Sequence, residues 1–361
     1  MTRFFDCGRP FTLESGVTLP ALRIAYHTYG TPNAARDNVV WVCHALTADS
    51  DVAAWWPHTV EEGRFLDPAR HYVVCANILG SHYGTTGPLH TDPATGKPYY
   101  GDFPAFTIRD MVQAHRVLAD ALGIGRIKVL VGSSVGGFQA VEWAVEEPER
   151  IERLALIATA AKASPWTIAI DETQRMAIEA DPTFGEPRDD AGRAGLAAAR
   201  AIGLLTYRGG AGYNLTQQDP EEAPSVHRAA TYQRHQGEKL CRRFDAYSYH
   251  AILDAFDTHD VGRGRGGVEA ALGRIAARTL VVGITTDLVF PPGEMRGLHA
   301  MIPRSEYREI DSPLGHDGFL VEHEQLNGLL IPFTNVFDKP SAEPDLSGLC
   351  RGGKTCMKMN L

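Results

Sequence analysis

The sequence predicts an α/β fold with a mostly parallel central sheet and an inserted helical lid. Three observations carry that expectation. Apolar β-type runs alternate with helical periods up to about Ala158, the strand rhythm is replaced by helices from about Ser164 to Leu272, and it returns at Thr279.

Taken in order, Phe11-Thr-Leu13 and Leu22–Tyr29 alternate in character and predict strands, while Asn38–Cys43 is a continuous apolar run ending at His44. Such a run suits a strand buried on both faces of a parallel sheet. His71–Asn77 is another, followed by a loop, Gly80–Pro88, too rich in glycine to be regular. Thr107 to Gly123 has helical spacing, with Ile108, Met111, Val112, His115, Leu118, Ala119 and Leu122 on one side. Strands at Val129–Ser133 and Arg153–Ala158 flank a second helix. Then Ile168–Ala180, Ala191–Tyr207 and Tyr232–Phe256 read as helices, and Gly262–Gly267 as a flexible connector; no strand precedes it, so it is not a phosphate loop. Strands resume at Thr279–Thr285 and Glu306–Ile310. The expected organisation is a discontinuous core, residues 1–163 and 273–338, a helical insertion over 164–272, and a flexible tail over 339–361.

Composition narrows the partners. A net charge of -9 over 361 residues argues against a sequence-independent grip on nucleic acid or an anionic membrane. The N-terminus lacks an apolar signal core, and no run approaches the ~18 apolar residues of a membrane span. The expectation is a cytoplasmic protein acting on small molecules, with no nucleic-acid or membrane partner. None of the six cysteines forms a C-x-x-C pair or a zinc-spaced cluster, so no metal is expected. Cys43 and Cys75 read as small buried residues; the Cys350/Cys356 pair in the tail offers a bridge or a metal site, but reduced thiols are the default.

The chemistry lies in Val129-Leu-Val-Gly-Ser-Ser-Val-Gly-Gly137, where a strand runs through Gly132-x-Ser134-x-Gly136 into a helix. A serine on such a strained turn needs small neighbours, and its hydroxyl is lifted above the sheet edge over a helix N-terminus that can hold an oxyanion. Ser134 fits this frame; Ser133 would have valines at the glycine positions. A serine hydroxyl is a weak nucleophile at neutral pH and needs a general base oriented by a carboxylate, both following later strands. Asp287, after Val281–Thr286, and His316, after the final strand, stand in the required order. His323 reads as a solvated helix residue, and His44 precedes the serine.

Several segments make the chain resemble the homoserine O-acetyltransferase family of α/β-hydrolase-fold acyltransferases, to about residue 338. They include His44-Ala-Leu-Thr47, Asn77-Ile-Leu-Gly80, Tyr83–Pro88, Asp102-Phe-Pro104, the elbow running into Gln139–Ala144, Arg242-Arg-Phe-Asp-Ala246 and Gly315–Phe319. The resemblance implies an α/β-hydrolase fold, an acyl-Ser134 intermediate formed from acyl-CoA as cosubstrate, and transfer to L-homoserine with no permanently bound cofactor. It implies oxyanion donors at the backbone N–H groups of Leu46 and Val135. Arg200 and Tyr207 match positions that hold the amino acid, and Asp317 matches the carboxylate that receives its ammonium; a homodimer through the lid is also implied. The charge logic agrees, because a zwitterion needs a cation and an anion, and residues seven apart on a helix share a face. The alternative for Arg200 is a solvated lid arginine, and for Asp317 a helix cap. Two departures bear on the acyl pocket: the family elbow commonly reads Gly-Gly-Ser-Met-Gly-Gly, with Ser133 and Val135 replacing its second Gly and Met here, and Thr47–Val52 lacks the usual Thr-Gly. The expected donor is acetyl-CoA. Succinyl-CoA, serine as acceptor, an esterase with the same triad and a non-catalytic binding protein are the alternatives.

Overall fold

The computed structural model describes residues 1–220 and 227–335; the expected tail over 339–361, with Cys350 and Cys356, lies outside the described residues. Ten strands form in chain order: β1 (Arg3–Cys7), β2 (Phe11–Thr12), β3 (Thr18–Leu19), β4 (Leu22–Tyr29), β5 (Val39–Cys43), β6 (Tyr72–Ala76), β7 (Ile127–Ser133), β8 (Ile151–Ile157), β9 (Arg278–Ile284) and β10 (Ser305–Ile310). Eight make one sheet in the order β1-β4-β6-β5-β7-β8-β9-β10. From β6 to β10 the neighbours are parallel, and β4 and β1 add antiparallel at one edge. β2 and β3 are a separate two-residue hairpin, so Phe11-Thr-Leu13 is not part of the main sheet. The missed strand β1 lies at an edge and is mostly exposed, which is why it carries no apolar run.

Every residue of β5 and β6 is buried, as covering both faces of a parallel sheet requires. Alternation then sorts the side chains into two layers. Trp41, Val74, Leu130 and Leu154 join the core on one face, and Val40, Val42, Val73, Val129 and Val131 the core on the other.

The helices are α1 (Val52–Trp55), α2 (Ile108–Ala121), α3 (Val135–Glu146), α4 (Pro165–Glu179), α5 (Arg193–Thr216), α6 (Arg228–Cys241), α7 (Ala246–Asp257), α8 (Val268–Leu272), α9 (Pro292–Met301), α10 (Gly318–Val321) and α11 (His323–Asn335). Five of them, α4 to α8, stand in sequence between β8 and β9. α2 starts where its sequence says it should: the Thr107 hydroxyl accepts from the Asp110 N–H, and the Asp110 carboxylate accepts from the Thr107 N–H. Ser164 and Thr167 do the same for α4, with Pro165 in the first turn.

Three expectations change. The predicted helix over 232–256 is two helices, because the Asp245 carboxylate accepts from the Ser248 N–H and starts α7 afresh while Phe244 is buried in the bend. α5 runs nine residues beyond Tyr207, to Thr216, but is broken at Gly209 (φ 61°, ψ 169°), a conformation that only glycine adopts readily. The connector over 262–267 is pinned: Arg263 makes two 2.8 Å bonds to Glu14, and Arg265 grips Glu142, which is 1% exposed. No helix among the described residues is long and apolar enough to cross a membrane.

Candidate active site

Ser134 links β7 to α3 at φ 54°, ψ -127°, outside the regions ordinary residues prefer, at a cost of about 1–3 kcal/mol. The surroundings hold it there. Its N–H is shared between the carbonyls of Ile157 and Ala158 at 3.0 and 3.1 Å, and its own carbonyl accepts from the Thr159 hydroxyl at 2.7 Å. A Cβ at Gly132 would strike the Gly136 carbonyl, and one at Gly136 the Cys43 carbonyl, so the turn closes only with glycine at both places.

The Ser134 hydroxyl lies 2.8 Å from His316 Nε2, and His316 Nδ1 lies 2.8 Å from Asp287 Oδ2. Asp287 Oδ1 accepts from the N–H groups of Val289 (2.7 Å) and Phe290 (3.0 Å), which fixes the carboxylate plane. Nδ1 therefore donates to Asp287, leaving the Nε2 lone pair for the serine proton. Burial alone pushes the imidazole pKa down, but the charge and hydrogen bond of Asp287, with Asp317 adding to them, raise it above its ordinary value. The base must be neutral to work, so activity is expected to fall as pH drops through a pKa above the usual ~6.5. Asp317→Asn removes one of the raising charges; the acid limb of ester turnover should move to lower pH, and a limb that stays put or moves up would contradict this. An ester is the substrate of choice here because it needs no ammonium site.

Ser134 and His316 open into a cavity of about 350 Å³, with Asp287 behind the histidine. Leu46 and Val135 line it. Val135 is the first residue of α3, so its N–H has no acceptor within the helix, and the Leu46 N–H has none among the described residues. Both are free to hold an oxyanion. Arg200, Tyr207 and Asp317 line the same cavity. The Arg200 guanidinium lies 5.7 Å from the Tyr207 ring centre and has no carboxylate partner among the described residues. Burial pushes the Tyr207 hydroxyl up to about 12, so it remains a donor. The Asp317 side chain does not cap α10; it accepts from Arg208 Nε at 3.0 Å, so the carboxylate that the resemblance gives to the substrate ammonium is shared with a lid arginine.

Sequence reasoning missed Arg208, although it adjoins Tyr207. It also missed Asp171 on α4, whose carboxyl lines the cavity and is pushed well above the carboxylate range by burial and by the neighbouring Asp257. No signal short of the fold marks either. Ser133 is buried with a hydroxyl that has no hydrogen-bond partner among the described residues. His44 is buried beside the site, where its Nε2 accepts from the Ile78 N–H at 3.1 Å and burial pushes it down to about 4; it is neutral and supports the backbone. His323 opens α11, half-buried against His58, and takes no part in the triad. No cluster of metal-ligating side chains occurs among the described residues.

Known proteins share the fold that carries this site. The family described as alpha/beta hydrolase fold matches residues 38–323. A homoserine O-acetyltransferase of Cyclobacterium marinum is 45% identical, covering 91% of this chain and 94% of its own length. One of Chlorobaculum tepidum is 42% identical, with 92% and 94% covered. Among solved structures, the homoserine O-acetyltransferase of Bacillus anthracis superposes with a TM-score of 0.87 at 25% identity, covering 93% and 98% of the two chains. An acetylester hydrolase of Corynebacterium glutamicum superposes at 0.82 with 25% identity, covering 93% and 96%.

Proposed function

The chain belongs to the homoserine O-acetyltransferase family within the α/β-hydrolase fold, and from that premise we propose that it moves an acetyl group from acetyl-CoA to the hydroxyl of L-homoserine. The reaction is ping-pong. His316 Nε2 takes the Ser134 proton as Oγ attacks the thioester carbonyl, the N–H groups of Leu46 and Val135 hold the oxyanion, and the thiol leaves with the proton from His316. Homoserine then enters, His316 takes its side-chain hydroxyl proton as that oxygen attacks the acyl carbonyl, and the acyl-Ser134 bond breaks as His316 returns the proton to Ser134 Oγ.

The observation that carries this reading is the Arg200 guanidinium, without a carboxylate partner among the described residues, lining the same cavity as Asp317. An ester hydrolase needs no site for a zwitterion, whereas an amino-acid acceptor needs one charge of each sign. The choice of acetyl over succinyl is supported by the lining as well. Besides His316 its cations are Arg200, reserved for the acceptor, and Arg243, already bonded to Thr47 and Tyr83, so a second carboxylate finds no free partner there. Asp49 adds a like charge.

On this reading residues 164–272 act as a lid that shelters the acyl-serine from water, and residues 1–163 with 273–338 form the catalytic core. Exposed Met176, Leu205 and Leu215 on the lid helices support a two-fold dimer through this block. We place the activity in the cytoplasm, in the methionine branch of amino-acid biosynthesis.

The test is thiol release from acetyl-CoA and succinyl-CoA, each with L-homoserine, L-serine or no acceptor. Release from acetyl-CoA only with homoserine is expected. The similarity to an acetylester hydrolase makes water the rival acceptor, and equal release without any amino acid would select hydrolysis instead. Arg200→Met is expected to raise the KM for homoserine about 100-fold, the worth of a charged hydrogen-bond pair, with kcat changed far less.

A further inference from the structure

We propose that Arg243, in the bend between α6 and α7, is a positioning residue that aims the Leu46 N–H at the oxyanion. This rests on the acyl-Ser134 reading above. The argument follows two rigid peptide planes. Arg243 Nη1 donates to the Thr47 carbonyl and to the Tyr83 hydroxyl, and Nη2 reaches the Thr47 hydroxyl at 3.4 Å. The Thr47 carbonyl shares its peptide plane with the Ala48 N–H, which donates to the Ala45 carbonyl at 3.0 Å. The Ala45 carbonyl in turn shares its plane with the Leu46 N–H. It is also held from the other side by His44 Nδ1 at 2.9 Å. In a trans peptide the N–H points opposite the carbonyl, so fixing the Ala45 oxygen between Ala48 and His44 leaves the Leu46 N–H one direction. Arg243 is the outer end of that chain.

The bend that carries Arg243 is itself anchored. Phe244 is buried with its ring centre 5.6 Å from those of Tyr83 and His82, and Asp245 accepts from His82 Nδ1 at 2.8 Å while capping α7. Asn77 holds the Tyr83 carbonyl at 3.0 Å. The segments Arg242–Ala246, Tyr83–Pro88 and His44–Thr47, far apart in sequence, thus meet at one backbone turn. Arg243 is exposed where it lines the cavity, so its guanidinium is not required to fill the core.

The decisive measurement is the rate at which p-nitrophenyl acetate acylates Ser134, read as the burst of nitrophenol, together with the affinity for methylboronic acid, whose tetrahedral adduct puts an anionic oxygen in the same hole. Arg243→Ala is expected to lower both in parallel, by about 10- to 100-fold, since deleting an oxyanion donor outright costs about 100- to 1,000-fold. The KM for the ester and the pH midpoint of acylation should not move, and Arg243→Lys should recover part of the loss. Arg242→Ala, whose side chain among the described residues reaches only Glu238 at 3.9 Å, is the unaffected control. If Arg243→Ala does not fold, Tyr83→Phe, which removes the hydroxyl's bonds to Arg243 and to the Thr47 carbonyl but leaves Arg243 on that carbonyl, should give a smaller loss of the same pattern. Unchanged acylation and boronate affinity would overturn the proposal, as would a defect confined to the KM for acetyl-CoA, which would make Arg243 a contact for the donor. A normal burst with no homoserine-dependent thiol release would instead overturn the transferase reading and leave this one standing.

Discussion

Ser134→Ala is expected to lower kcat/KM for acetyl transfer by about 10⁵- to 10⁶-fold, because no other group on the cavity wall can form the acyl-enzyme. Its 2.8 Å contact with His316 is the only route by which the buried base reaches a nucleophile held at the elbow. Alanine keeps the same unfavourable φ, so the variant gains no relief of strain and its unfolding midpoint should stay near that of the parent. Intact-mass analysis after mixing with acetyl-CoA should find a 42 Da adduct on the parent, on the order of one acetyl per chain, and none on the variant. Transfer within tenfold of the parent would mean that homoserine attacks acetyl-CoA directly and that the covalent step does not occur.

Asp287→Asn comes next, with an expected loss of about 10⁴-fold. The geometry explains why a change of one atom costs so much. Oδ1 of Asp287 is occupied by two backbone N–H groups, which an asparagine oxygen would keep, and that leaves the new NH₂ facing His316 Nδ1. A donor at that position forces the ring proton onto Nε2, where it meets the Ser134 hydroxyl with no lone pair to offer. The loss should therefore persist across the pH range instead of shifting with it. A loss below about 100-fold, or one restored at high pH, would mean that Asp287 acts only as a charge and not as the group that selects the tautomer.

The elbow and the triad were legible because strain leaves few choices. Gly132 and Gly136 face carbonyls that admit no side chain, and such demands are written in the sequence as residue types at fixed spacing. The buried strands were legible for a related reason, since both faces of β5 and β6 need apolar residues. What escaped depends on contacts between distant segments. Glycines over 262–267 suggest mobility until Arg263 and Arg265 are seen to reach Glu14 and Glu142. The break before α7 has no proline or glycine; its one local mark is Asp245 three residues before Ser248, a weak signal in a charged stretch. Arg208 on Asp317 and Asp171 beside Asp257 are pairings that no spacing predicts.

The position of β9 also has a consequence for how the chain is made. β9 pairs directly with β8, yet Arg278 follows Ile157 by about 120 residues, nearly all of them helical insertion, and a ribosome needs on the order of ten seconds to add that length. Throughout that interval the edge of Leu154-Ala-Leu-Ile157 is an open, apolar template on a nascent chain that already has its nucleophile but neither acid nor base. Ribosome-bound intermediates halted near Leu272 should therefore bind holdase chaperones strongly, and release should coincide with emergence of the strand that closes the edge. Protection of the β8 edge arrives with β9, just ahead of the acid Asp287, and catalytic competence follows only with His316 beyond β10.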